Sequence, residues 1–448
     1  MGTSVISSFA VGPRGPSFFP DHQKRTSKKT SFVHCQKTGN NITKTGHFAS
    51  ILSETSALSR SSLAADLVVK TLVSHSTSSS GFSKDEDGIG IVKFLRGKSF
   101  FITGATGFLA KAYVNGQRKG RIMERSFTIG ESSNADVNGN SPSSVALFDV
   151  EEELNLALRS AEAIDSKPVS PKMKELGLQR ARKYGWQDTY MFTKAMGEML
   201  LSSVRGGVPV VILRPSVIES TYRDPFPGWI EGNRMMDPVV TYYGKGLLPG
   251  FPVDPNGVLD VVPVDMVANA TIAAMAMHGT SGKSEISVYQ VASSVVNPLV
   301  YGDLGDLAYR YFTKCPCLDA QGRPIKVEPF KFYESVDDFS SHIHREIISH
   351  ISSSRMPSPN GKHSRAVDNF CRKAVERAKH LASVYEPYCF YGGRFDNSST
   401  SLLLASMSEE ERQTFYFDVG NVDWTDYICN VHIPGLRTHV MKGRRQSS

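Results

Sequence analysis

Two motifs, and the distance between them, limit what this chain can fold into. The first is Thr103-Gly104-Ala105-Thr106-Gly107-Phe108-Leu109, a glycine-rich turn directly after the short β-prone run Ser99-Phe100-Phe101-Ile102. Backbone N–H groups in such a turn can approach a pyrophosphate. The second is Tyr190-x-x-x-Lys194, set in a helical pattern. Gly107 and Tyr190 lie 83 positions apart, whereas four βα repeats of about 30 residues need roughly 120. Within that interval, residues 131–144 are loop-like, rich in Ser, Asn and Gly. A complete six-stranded doubly wound sheet is therefore excluded, and the expected fold is α/β with an incomplete Rossmann-like domain.

The turn has the Gly-x-x-Gly spacing of short-chain dehydrogenases, with Ala110 as its third small residue. A dinucleotide fold next requires a helix, a second strand and a ribose-reading residue about 20 positions on. None of these is visible. Lys111 runs straight into Ala112-Tyr113-Val114-Asn115-Gly116, which reads as a strand end with an Asn-Gly turn. Helical character resumes at Val150 and continues past Ala163, returns from Pro171 to about Lys183, and starts again after Asp188, a plausible N-cap.

On that last helix Tyr190 and Lys194 share one face. Such a phenol can protonate a carbonyl oxygen as hydride reaches the carbon. A neighbouring ammonium is expected to lower its pKa from about 10 toward neutrality. The same lysine can hold a nicotinamide ribose. The helix is followed by the strand-like run Val208-Pro209-Val210-Val211-Ile212-Leu213 and then Arg214-Pro215-Ser216-Val217-Ile218. Substrate and nicotinamide would meet at that strand end. The candidate catalytic residues are thus Tyr190 and Lys194. The candidate cofactor-binding residues are Thr103, Gly104, Ala105, Thr106, Gly107, Phe108, Leu109, Lys194, Pro215 and Val217.

The net charge of +7 resides entirely in residues 1–84, where ten basic side chains face three acidic ones. The remaining body is neutral and offers no electrostatic footprint for a nucleic acid. With eighteen serines and few acids, the first 84 residues have the composition of an organelle transit peptide, and the excess of hydroxyl residues over arginine favours the plastid. No apolar run reaches membrane-spanning length. The six cysteines are too few and too scattered for a disulfide framework. Cys315-Pro316-Cys317 lacks two further ligands at finger-like spacing, His342 and His344 included, so no metal site is expected there.

Beyond these readings, the residues resemble a known family, the alcohol-forming fatty acyl reductases, and in particular the plastid-targeted plant branch that includes the male sterility proteins. The resemblance covers most of 90–448. It rests on ITGATGFLAK (102–111), AYVNGQRKGRIME (112–124), YGWQDTYMFTKAMGE (184–198), VILRPSVIEST (211–221) and YYGKGLLPGFPVDPNGVLDVVPVDMVANA (242–270), and on FDVGNVDWTDYICNVHIPGLRTHVMK (417–442) with its Asp-Trp-x-x-Tyr and HIPGL segments. It implies a transit segment over 1–84, a truncated NAD(P)-binding reductase domain over 85–302 and a small, mainly helical C-terminal domain over 303–448. It also implies NADPH-dependent reduction of a long-chain acyl thioester, carried by CoA or acyl-carrier-protein, through an aldehyde to a primary alcohol. Tyr190 and Lys194 carry over as acid and assisting cation. In the family a Ser-Thr pair precedes AYVNG; Lys111 stands in its place here, and the segments normally found between the two motifs are missing, as after an internal deletion. Two alternatives remain open. One is a non-catalytic relative that binds acyl chains or a full-length partner. The other is a different extended short-chain dehydrogenase, against which the DWxxY and HIPGL segments speak.

Overall fold

A computed structural model describes residues 88–97, 112–133, 149–162, 171–281, 283–319, 321–354 and 365–441. The extension 1–84, the turn Thr103–Leu109 and Lys111 lie outside the described residues.

The predicted helical segments form where their patterns place them, and the expected continuation past Ala163 lies outside the described residues. The short helix α1 (Ile91–Leu95) precedes β1 (Gly120–Ile122), α2 (Val150–Glu162), α3 (Pro171–Lys183) and α4 (Thr189–Val204). Arg180 of α3 donates to Glu153 of α2 at 2.8 Å, pinning the two together. Asp188 caps α4 as expected, its carboxylate accepting from Met191 N at 2.8 Å. The strand β2 (Val210–Pro215) is buried at every residue and pairs in parallel with β7 (Ile286–Val291). A strand covered on both faces reads as this continuous apolar run.

Between them lie β3 (Val217–Glu219), α5 (Asp237–Gly244), β4 (Gly250–Pro252), β5 (Val258–Leu259), β6 (Val261–Pro263) and α6 (Val264–Ser281). After β7 come β8 (Leu299–Val300), α7 (Tyr301–Lys314), β9 (Lys331–Tyr333), α8 (Val336–Ser354) and α9 (Arg365–Cys389). They are followed by β10 (Gly393–Phe395), α10 (Ser398–Ala405), α11 (Glu409–Thr414) and a helical run over 424–440 with wide π turns at Tyr427–His432 and Leu436–Val440. Among the described residues the strands pair only two by two. β1 pairs with β10, β3 with β6 and β4 with β9 in parallel, and β5 with β8 antiparallel. The fold is thus α/β, with parallel pairing but without a continuous sheet among these residues.

One expectation is corrected. Ala112–Asn115 is a buried 3-10 turn rather than a strand end. Asn115 Nδ2 closes the turn on Ala112 O at 2.8 Å, and Trp186 Nε1 donates to Val114 O at 2.7 Å, so side chains consume the hydrogen bonds a strand partner would need. Gly116 follows at φ 69°, and a Cβ there would fall 1.8 Å from Ser133 Oγ. Only glycine fits.

An apolar cluster packs α8 and α9 against β4 and β9. Phe339, Ile343 and Ile347 recur every four residues along α8, and Cys371, Val375, Ala378 and Ala382 line the facing stripe of α9. At the opposite end of the chain, Glu411 of α11 accepts the backbone N–H of Ile89, Gly90 and Ile91 at 2.9, 2.7 and 2.8 Å. It also completes a capping box with Ser408. Glu411→Ala removes every one of these acceptors, and we expect it to cost about 2–3 kcal/mol of unfolding free energy by denaturant titration. A loss within error would show that the lead segment contributes nothing to stability.

Candidate active site

The site is built on the first turns of α4. Its position is set by a buried ion pair: Arg214 on β2, fully inaccessible, donates to Glu198 on α4 at 3.1 and 2.5 Å. The Arg214 guanidinium also lies over the Phe127 ring, 4.8 Å from its centroid. Trp186, just before the helix, is buried against the 112–115 turn through its bond to Val114. Helix and strand are thereby held in one orientation.

Four residues upstream of Glu198, the Lys194 side chain is buried, and its ammonium lies 5.6 Å from the centroid of the Tyr190 ring. Burial lowers the Lys194 pKa, with Glu198 opposing. Tyr190 Oη is inaccessible and has no hydrogen-bond partner among the described residues. Burial raises its pKa above the ordinary tyrosine value, and the charge of Asp188 raises it further. The expected lowering by lysine is therefore not what this arrangement produces. The ammonium sits over the ring rather than against the oxygen, and desolvation of the phenolate outweighs it. Tyr190 is a neutral hydroxyl at physiological pH, with its proton available to donate.

Tyr190 opens into a cavity of about 210 Å³ whose lining is almost wholly apolar. Val217 from β3, Met236, Val239 and Tyr243 around α5, Leu304 and Ala308 from α7, Phe330 and Phe332 near β9, and Tyr385 and Tyr388 from α9 form its wall. Of the residues singled out in the sequence, Tyr190 and Val217 share this cavity, Lys194 stands beside Tyr190, and Pro215 is buried in β2, two residues before Val217. The turn Thr103–Leu109 lies outside the described residues.

Nothing in the sequence singles out Tyr385, Tyr388 or Tyr113, which also lines the cavity. Tyr388 donates to the second oxygen of Asp188, so that one carboxylate caps α4 and anchors α9. The only sequence trace is the Tyr385/Tyr388 pair three apart on one helix face, which says nothing of its target 200 positions away.

A nicotinamide-nucleotide-binding family model described as "Male sterility protein" matches residues 110–271, and a second model with the same description matches 361–443. The chain is 57% identical over 343 residues to "Fatty acyl-CoA reductase 2, chloroplastic" of Arabidopsis thaliana, covering 75% of this chain and 55% of that protein. It is 37% identical to "Probable fatty acyl-CoA reductase 4" of the same plant, covering 75% and 68%. To "Alcohol-forming fatty acyl-CoA reductase" of Simmondsia chinensis it is 35% identical, covering 74% and 67%. The chain thus spans little more than half the length of the first of these relatives. Among solved structures, the terminal reductase domain of the myxalamid biosynthetic pathway aligns over 57% of this chain and 51% of its own at 15% identity and a TM-score of 0.33, too distant to carry an argument. On the strength of the relatives, this chain belongs to the male sterility protein family of fatty acyl-CoA reductases.

Proposed function

We propose that the chain reduces a long-chain fatty acyl thioester to a primary alcohol with NADPH, by way of an aldehyde. The observation that carries this reading is Tyr190, which lines an apolar cavity and whose buried hydroxyl has no hydrogen-bond partner among the described residues. A buried donor without an acceptor is costly unless a ligand supplies one, and a carbonyl oxygen at the head of an alkyl chain fits both the donor and the wall. The reaction consumes two hydrides and releases the thiol. NADPH, when bound, supplies the hydrides.

Tyr190 donates its proton to the carbonyl oxygen as the carbon is reduced. Lys194 holds positive charge beside the phenol and is placed to bind the nicotinamide ribose, while Thr103–Leu109, Pro215 and Val217 are proposed to receive the rest of the cofactor. The apolar wall binds the acyl chain and keeps water from the reacting carbon. CoA and acyl-carrier-protein are both suitable thiol carriers, and the reductase part is assigned to 85–302 with the C-terminal part at 303–448. The word "chloroplastic" in the name of one relative, together with the serine-rich, acid-poor extension 1–84, supports import into plastids.

Tyr190→Phe removes the donor without changing the packing of the ring. It is expected to lower kcat at least about 100-fold with melting temperature unchanged, measured as acyl-CoA-dependent oxidation of NADPH. If the wild-type chain binds NADPH and acyl-CoA but forms no alcohol, the chain is instead an acyl-binding relative. Ala308→Phe fills part of the cavity and should lower kcat/KM for the longest substrates about tenfold relative to shorter ones. An unchanged chain-length profile would move the acyl chain elsewhere.

Lys194→Met tests the electrostatics. Because the folded-state pKa of Lys194 is depressed, burying its charge costs stability at pH values where it is protonated in both states. That cost disappears as pH rises from the folded pKa to the unfolded value of about 10.4. The variant should therefore melt at a higher temperature than wild type at pH 7, with the gain fading toward pH 10, while turnover is lost. A destabilised variant at pH 7 would show that the charge is stabilised by its surroundings.

A further inference from the structure

Behind the cavity wall, three charged or titratable side chains from separate parts of the chain converge. Glu219 ends β3, Asp237 begins α5, and His432 lies in the π-helical turn of the C-terminal run. All three are inaccessible, at 1%, 0% and 0% exposure.

Each is anchored through one atom and presents another. Glu219 Oε1 accepts Met236 N at 3.3 Å, and Asp237 Oδ2 accepts Arg234 N at 3.1 Å. His432 Nδ1 lies 3.1 Å from Ser220 Oγ, which is itself 3.2 Å from the Tyr427 hydroxyl. Among the described residues, the remaining atoms, Glu219 Oε2, Asp237 Oδ1 and His432 Nε2, have no hydrogen-bond partner outside this cluster. Nε2 stands 3.1 Å from Asp237 Oδ1 and 4.0 Å from Glu219 Oε2, and one ligand atom from each side chain falls within 4.8 Å of the others.

We propose that Glu219, Asp237 and His432 form a buried site for a divalent transition-metal ion, zinc being the best match. Bonds of about 2.0–2.2 Å in tetrahedral array put ligand atoms roughly 3.4 Å apart, between the two distances observed. Two carboxylates, a neutral imidazole and a dication sum to zero charge, which removes the large cost of burying two carboxylates side by side. The Ser220 contact at Nδ1 fixes the ring and leaves the Nε2 lone pair free, as the outer shell of a metal histidine does. The role is structural. The ion would join the end of β3, the start of α5 and the C-terminal helical run, and Met236, which lies between two anchors, also lines the acyl cavity.

The test uses the full-length chain. Metal content is measured by mass spectrometry as purified, after stripping with a chelator, and after reloading with Zn²⁺ and desalting. Melting temperature is followed in each state. We expect about one zinc per chain, a lower melting temperature on stripping and its recovery on reloading. Glu219→Gln and Asp237→Asn preserve shape and should abolish stoichiometric zinc. Ser220→Ala should weaken zinc binding about ten- to a hundredfold. A wild-type chain that takes up no zinc on reloading, or that melts identically stripped and loaded, overturns the proposal and leaves a cluster held by shared protons. So do variants that retain full zinc. If the variants fail to fold, stripping and reloading of the wild type decides the question alone.

Discussion

The buried bond between Arg214 and Glu198 is the constraint on which the site depends. Arg214 has no access to water, and its ion partner comes from a different element, so α4 can take only one axial rotation and one height against β2. Removing either partner would leave an isolated charge in the interior, at a cost of about 3–5 kcal/mol. Rotation of α4 is what decides whether Tyr190 faces the cavity, since Glu198, Lys194 and Tyr190 follow one another at intervals of four along one face. A pair that adds little net stability thus fixes which side chains of α4 line the cavity.

The local parts of this arrangement were legible in the sequence. The span 171–183, the Asp188 cap and the apolar strand before Arg214 are short-range signals, set by capping chemistry and periodicity. The 112–115 turn was misread because Asn-Gly is a hairpin signal only when a partner strand is present, and here Trp186 takes the carbonyl instead. The protonation state of Tyr190 was misjudged for a related reason. A Tyr/Lys spacing of four fixes a shared face, but whether the ammonium reaches the oxygen or the ring depends on burial. Most of the cavity wall was illegible, because it is assembled from α5, α7, β9 and α9, whose apolar stripes look like ordinary core.

The parts of the chain on either side of residue 303 are interleaved. β1 pairs with β10 and β4 with β9 across long stretches of sequence, and the carboxylate that caps α4 also receives the α9 tyrosine. The Glu219, Asp237 and His432 cluster repeats this pattern, drawing on the region after the reductase strand and on the HIPGL segment. What the sequence presents as a reductase part followed by a helical part is, at the site, a single packed arrangement.

The three backbone amides of 89–91 that converge on Glu411 have a further consequence for how such a chain is made. Chain segments more than three hundred positions apart meet there, and Gly120 and Gly393 meet across 273 positions at the β1–β10 edge. A growing polypeptide cannot close the first contact until Glu411, or the second until Gly393–Phe395, has left the ribosome. Until then the edge of β1 is unpaired, and the nascent chain depends on being kept from aggregation during that interval.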